Sequence, residues 1–216
     1  MTHPLVIAID GPAASGKSTL ARRVAARYGL RFLDTGLVYR ATARRLLDAG
    51  DDPADGDAAR RHAEALVPFD LDHPHLRGEG IGNVASLVAS YPEVRAALLP
   101  VQGRFAKEPP GSVLAGRDIG TVVCPDADAK VFVTASIEER ARRRTAELRG
   151  RGEAPIYDRV LEEIMERDRR DGSRTVAPMA VAADAVVIDT TDLGLDGAFN
   201  AVREAIDRRL GRTNRR

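Results

Sequence analysis

The chain has 216 residues, with 33 Lys and Arg against 32 Asp and Glu, a net charge of +1 and a single cysteine. That length holds one substantial core and is short for two full domains. The charge balance excludes the long-range field of a nucleic-acid or membrane-surface binder, and one cysteine excludes an internal disulfide and a cysteine-built metal site.

Met1 to Pro4 runs straight into an apolar segment and lacks the regions of a signal peptide, and no apolar run approaches the ~20 residues of a membrane span, so a cytoplasmic protein is expected. Leu5 to Ile9 reads as a buried strand. It leads into Gly11-Pro12-Ala13-Ala14-Ser15-Gly16-Lys17-Ser18-Thr19, a phosphate-binding loop between a strand and a helix. Such a loop curls so that successive N–H groups converge on one spot, toward which the following helix aims its positive end. Lys17 supplies an ammonium for the β- and γ-phosphates of a nucleoside triphosphate, and Ser18 a hydroxyl for Mg²⁺. From Lys17 to Tyr28 the apolar positions Leu20, Val24, Ala25 and Tyr28 recur at helical steps, and Gly29 stops the helix.

Further strands are predicted at Arg31 to Leu33, Ser112 to Leu114, Ala129 to Thr134 and Ala185 to Ile188, separated by helix-length stretches. This alternation argues for a parallel sheet covered by helices on both faces, with ligands at the carboxyl ends of its strands. Arg40 follows the second strand and Arg117 the third, so both are expected around one phosphate, which a planar guanidinium can grip with two hydrogen bonds. Asp51 to Asn83 is rich in Asp, Gly, Pro and His, carries a weak helix around Asp57 to Leu66, and reads as an excursion from the core. Ser136 to Arg170 is dominated by arginine-bearing helices broken at Gly150-Arg151-Gly152, a hairpin of the kind that closes over a nucleotide and excludes water. Near its end, Arg167 and Asp171 share one helical face and could pair with each other or with a ligand. Cys124 reads as a small, partly buried apolar residue, and Arg208 to Arg216 as a fraying helix end.

Together these segments closely resemble the bacterial cytidylate kinases, a branch of the P-loop nucleoside monophosphate kinases, from Ile7 to about Asp189. The resemblance is carried by Ile9-Asp10-Gly11-Pro12, Asp34-Thr35-Gly36 with Tyr39-Arg40, Asn83-Val84-Ala85-Ser86 and Pro92-Glu93-Val94-Arg95. It continues through Gly116-Arg117-Asp118-Ile119-Gly120-Thr121, Glu139-Arg140 with Arg143-Arg144, and Glu166-Arg167-Asp168 to Arg174, followed by Ala177-Pro178. It implies an α/β, P-loop three-layer sandwich with a five-stranded parallel sheet flanked by helices. Within a single domain, 1–216, it implies an acceptor-binding excursion over 37–110 and a helical lid over 136–170.

The implied reaction is transfer of the γ-phosphoryl group of ATP to CMP or dCMP, with Mg²⁺, by a monomer. By the same resemblance Ser86, Arg95 and Asp118 read the cytosine edge, Arg167 and Asp171 hold the ribose, and Thr35 lies near the acceptor. Arg40, Arg117 and Arg174 bind its phosphate, while Arg140, Arg143 and Arg144 meet the transferring group. An acceptor phosphate is already ionised, so no general base is required, which agrees with His3, His62, His73 and His75 lying in the terminus or the excursion. The chain departs from the family at Ala115, where an acidic residue is common, at Gln102-Gly103-Arg104, where Gln-Arg is usual, and in a short Val67 to Gly78 segment carrying His73-Pro74-His75. Two other readings fit the loop alone: a kinase of a metabolite such as shikimate, gluconate or dephospho-coenzyme A, and a regulatory nucleotide switch. The second lacks an Asn-Lys-x-Asp guanine-reading segment.

Overall fold

The computed structural model of the chain describes residues 3–67, 71, 76 and 80–212. Five strands, β1 (Leu5–Asp10), β2 (Arg31–Asp34), β3 (Gly111–Gly116), β4 (Ala129–Thr134) and β5 (Val186–Asp189), form one sheet in the order β2-β3-β1-β4-β5. Every neighbouring pair is parallel, with Asp10 of β1 in register with Gly116 of β3 and with Phe132 of β4. The central strands β1 and β3 are almost wholly buried, as continuous apolar runs in a parallel sheet must be, whereas the edge strand β5 exposes Val186 and Val187. The expected strands therefore stand: β4 keeps its expected bounds, and the other four are shifted or lengthened by one or two residues at their ends.

Helices α1 (Lys17–Tyr28) and α8 (Leu195–Arg209) cover one face, closing a core of Ile7, Ile9, Leu20, Val24, Val131, Val202 and Ile206. The other face buries Val6, Ala8, Leu114 and Ile119 beneath α5 (Pro92–Lys107) and a short π-helical turn, Ile119–Val123. Helix α5 joins α2 (Thr35–Asp48), α3 (Gly56–Glu64) and α4 (Ile81–Val88) around a separate core that includes Val38, Leu46, Ala59, Val88, Val94 and Leu98. The described residues of the excursion thus hold more helix than its polar sequence suggests. Its apolar positions are largely alanines, whose weak periodicity hides helices that pack closely. The His73-Pro74-His75 segment lies outside the described residues.

Helices α6 (Ile137–Arg149) and α7 (Tyr157–Gly172) form the expected hairpin, broken by turns at 150–152. Ser136 caps α6 by accepting from the Glu139 N–H at 3.2 Å, half of the Ser-x-x-Glu capping pattern. Among the described residues no helix is long and apolar enough to cross a membrane.

Candidate active site

The phosphate loop leaves β1 at the carboxyl edge of the sheet. A Cβ on Gly11 would lie 2.0 Å from the Val133 carbonyl oxygen, so nothing larger than glycine lets the loop start so close to β4. Gly16 holds the left-handed φ of +86° that turns the chain into α1, and Ala14 adopts a left-handed φ of +58° without being glycine. Lys17 is buried and donates to the Pro12 carbonyl at 2.9 Å, so its ammonium lies across the loop it serves. Burial, and next the neighbouring Arg117, push its pKa well below that of an ordinary lysine. The buried Ser15 hydroxyl has no hydrogen-bond partner, an orphaned polar group inside the loop.

Asp10, the last residue of β1, accepts from the N–H groups of Ile119 and Gly120, each at 2.8 Å. Burial raises its pKa to about 6 against those two bonds. One buried carboxyl therefore ties the start of the phosphate loop to the segment that follows Arg117 and Asp118.

That segment opens a second group of side chains. Asp171, at the end of α7, accepts from the Ser86 hydroxyl of α4 and from Arg117 Nε, each at 2.9 Å, and from Arg174. Arg167 Nε stands 4.0 Å away. Burial opposes its charge, but Arg117, Arg174 and Arg167 prevail and hold its pKa at about 2. Beside it Arg95 of α5 pairs with Asp118 while lying 5.5 Å from the Tyr39 ring centroid, and all three side chains are buried. Thr35 donates to the Ala115 carbonyl at 3.0 Å, so at this position the chain uses the Ala115 backbone. Gln102 is likewise buried, donating to Leu98 at 3.3 Å within α5.

Two cavities follow these groups. The larger, about 270 Å³, lies over the loop and is lined by Lys17, Arg40, Arg117, Arg144 and Arg167 against the carboxylates of Asp34, Glu147 and Glu163. The smaller, about 40 Å³, is lined by Thr35, Tyr39, Ser86, Arg95, Asp118, Asp171 and Arg174. Gly36, Arg117 and Arg167 border both, so the cavities adjoin at two guanidinium groups. The Nε atoms of Arg167 and Arg174 are buried without a hydrogen-bond partner, and burial with Arg117 nearby lowers the Arg167 pKa to about 9. Surplus, under-satisfied cationic donors around a cavity suit an anion with several oxygens.

The site brings together Lys17, Thr35, Arg40, Ser86, Arg95, Arg117, Asp118, Arg144, Arg167, Asp171 and Arg174. Arg40 also donates to the Leu76 carbonyl at 2.9 Å, and Arg144 pairs with Glu147 at 2.9 Å on the rim. Arg140 and Arg143 stand apart, since neither lines either of these two cavities and both donate to carbonyls of the phosphate loop, at Ala13 and Ser15. Neither His3 nor His62 lines the cleft. Sequence reasoning missed Tyr39, although it lies one helical turn after Thr35 on the same face. It also missed Gly82, whose lack of a side chain admits Arg40 and Arg167. Asp168, in the same segment as Arg167, was given no role.

A phosphate loop at the centre of such a sheet, opening on a cationic cleft that adjoins a polar pocket, defines a P-loop phosphotransferase. Residues 7–208 match the model of the cytidylate kinase family. The chain is 60% identical to the cytidylate kinase of Methylocella silvestris, over 91% of each chain. It is 53% identical to that of Nitrobacter winogradskyi, over 96% of this chain and all of the relative. A protein from Eubacterium ventriosum shares the fold, with a TM-score of 0.55 at 15% identity over 94% of this chain and 98% of its own. The chain belongs to the cytidylate kinase family.

Proposed function

We propose that the enzyme moves the γ-phosphoryl group of ATP onto CMP or dCMP, giving ADP and CDP or dCDP, as a cytoplasmic step of pyrimidine nucleotide metabolism. The observation that carries this reading is the junction of the two cavities at Arg117 and Arg167. A donor phosphate on the loop and an acceptor phosphate entering from the nucleoside pocket meet between those two guanidinium groups. The working unit in this reading is a single chain, whose residues line both cavities.

Gly11 to Thr19 hold the triphosphate. Ser86, Arg95 and Asp118 read the cytosine, since a carboxylate accepts from the exocyclic amine and a guanidinium donates to the ring carbonyl. Asp171 and Arg167 hold the sugar, Arg40, Arg117 and Arg174 the acceptor phosphate, and Thr35 and Tyr39 floor the pocket. Phosphoryl transfer passes through a loose transition state with charge on the equatorial oxygens, so alignment and charge stabilisation by Lys17, Arg117 and Arg144 do most of the catalysis. Residues 37–110 form the acceptor-binding excursion of the domain and 136–170 its lid.

Ser18 lines the cleft together with the Asp34 carboxylate, and these hard oxygen donors fit Mg²⁺. In this reading the ion takes its remaining ligands from phosphate and water. When bound, Mg²⁺ neutralises phosphate charge. The deciding experiment is a coupled ADP-release assay with ATP, Mg²⁺ and CMP, dCMP, UMP, AMP, GMP or TMP. CMP- and dCMP-dependent ADP formation is expected, and its absence with both overturns the reading.

A further inference from the structure

The three arginines at the root of the hairpin do not share one task. Arg140 is buried, and its Nε donates to the Ala135 carbonyl at 3.0 Å. Its Nη1 donates to the Ala13 carbonyl at 3.1 Å and also to Asp168 Oδ2. From the other side the Ala13 N–H donates to Asp168 Oδ1 at 3.3 Å. Both backbone polar groups of one phosphate-loop residue are thus taken by a single Arg–carboxylate pair, whose members come from α6 and α7.

The packing repeats this connection. Ala13 belongs to an apolar cluster with Ala141, Leu148, Val160 and Ile164 of the hairpin, and Ala14 packs against it. Arg143 adds a contact to the Ser15 carbonyl at 3.4 Å while anchored on Thr190 at 2.6 and 3.0 Å. Ala14, between the clamped Ala13 and Ser15, is the loop residue held left-handed without being glycine. A conformation of that kind persists only when its surroundings over-determine it.

We propose that Arg140 and Asp168 are positioning residues, a clamp that sets the phosphate loop through Ala13, and that Arg140 does not touch the phosphoryl group in flight. Arg144, which lines the cleft, is the hairpin arginine that meets phosphate. The clamp makes donor affinity depend on a pair outside the cleft. It rests on the reading of Gly11 to Thr19 as the donor site.

ADP tests this because it fills the loop and carries no γ-phosphoryl group. A fluorescent ADP analogue is titrated, without acceptor, into the wild-type chain, Arg140→Lys, Asp168→Asn and the double variant, and CMP is titrated in parallel. Asp168→Asn is nearly isosteric and keeps an acceptor for the Ala13 N–H, so it guards against a misfolded arginine variant. Each single variant is expected to weaken ADP about 10-fold, as loss of a charge-assisted hydrogen bond does. The double variant should weaken it no further than the worse single, because the two act as one unit. CMP affinity should move less than about 2-fold.

Unchanged ADP affinity with a lost kcat in Arg140→Lys assigns Arg140 to the transition state and overturns the clamp. Equal weakening of ADP and CMP, or additive effects in the double variant, overturns it as well. A wild-type chain that binds no ADP sinks the donor-site reading, and the clamp with it.

Discussion

The donor and acceptor halves of the site are built by opposite means. The donor half is nine consecutive residues, Gly11 to Thr19, whose ligand groups are mostly backbone N–H groups aimed by local φ values such as the +86° of Gly16. The acceptor half draws side chains from α2, α4, α5, the segment after β3 and the end of α7. Asp171 gathers them, with Ser86 and Arg117 bound to it across 85 and 54 residues of sequence. Local sequence can dictate a backbone nest, whereas a side-chain pocket exists only after the tertiary fold has closed. The donor half should therefore fail in chemistry whatever the acceptor, and the acceptor half in recognition of one nucleotide.

The largest effect is expected from Lys17→Ala. Its ammonium is the one charged side chain of the loop, and removing such a group costs at least about 100-fold in turnover. Steady-state kcat with CMP, dCMP and UMP should fall by a common factor, and a loss confined to one acceptor would break the division between the halves. Arg174→Ala comes next. It removes a buried partner of Asp171 and should raise the KM for CMP about 30-fold while moving that for ATP by less than about 3-fold. Equal rises in both constants would place Arg174 outside the acceptor half.

The same contrast explains what could be read beforehand. The parallel sheet, α1 and the phosphate loop follow from apolar runs, helical spacing and glycine punctuation, all local signals. Of the acceptor half, single-sequence spacing gives Arg40 and Arg117 as strand-end arginines and the Arg167–Asp171 face. Ser86, Arg95 and Asp118 came from resemblance, since a lone serine in a helix says nothing of a carboxylate 85 residues away. The hairpin arginines show the limit most clearly. Arg140, Arg143 and Arg144 are equivalent by composition, and Arg140 shares a helical face with each of the other two, so what each one reaches is decided by the tertiary packing and not by helical spacing. Two of them reach loop carbonyls and the third the cleft.

Acid sharpens the comparison through Asp171. Its pKa is held at about 2 in the folded chain against an ordinary 3.8. A depressed carboxyl pKa contributes stability that is present above about pH 4 and lost as pH falls toward 2. The shift corresponds to about 2 kcal/mol. Denaturant unfolding between pH 5 and pH 2 should show wild type losing its advantage over Asp171→Asn by about that amount. A gap that stays constant with pH would mean that the arginines around Asp171 do not hold it ionised.

The smallest effect should come from Gly82→Ala, and its two consequences have opposite signs. Gly82 lies in the first turn of α4 without a left-handed φ, so alanine fits its backbone and should stabilise the helix by about 0.5 kcal/mol. The new Cβ, however, would lie 3.2 Å from Arg167 Nη1 and 3.4 Å from Arg40 Nη2. Both atoms are ends of flexible side chains, so they give way by a few tenths of an ångström and leave the fold intact. That displacement falls on two guanidinium groups of the cleft, and misplacing positioning groups costs binding and rate out of proportion to the distance moved. A thermal melt should show Gly82→Ala at or above wild type while the KM for CMP rises about 3-fold and that for ATP stays put. If both KM values hold, the empty space at residue 82 serves only helix packing. A rise accompanied by a lower melting temperature would trace the effect to the fold instead of the two arginines.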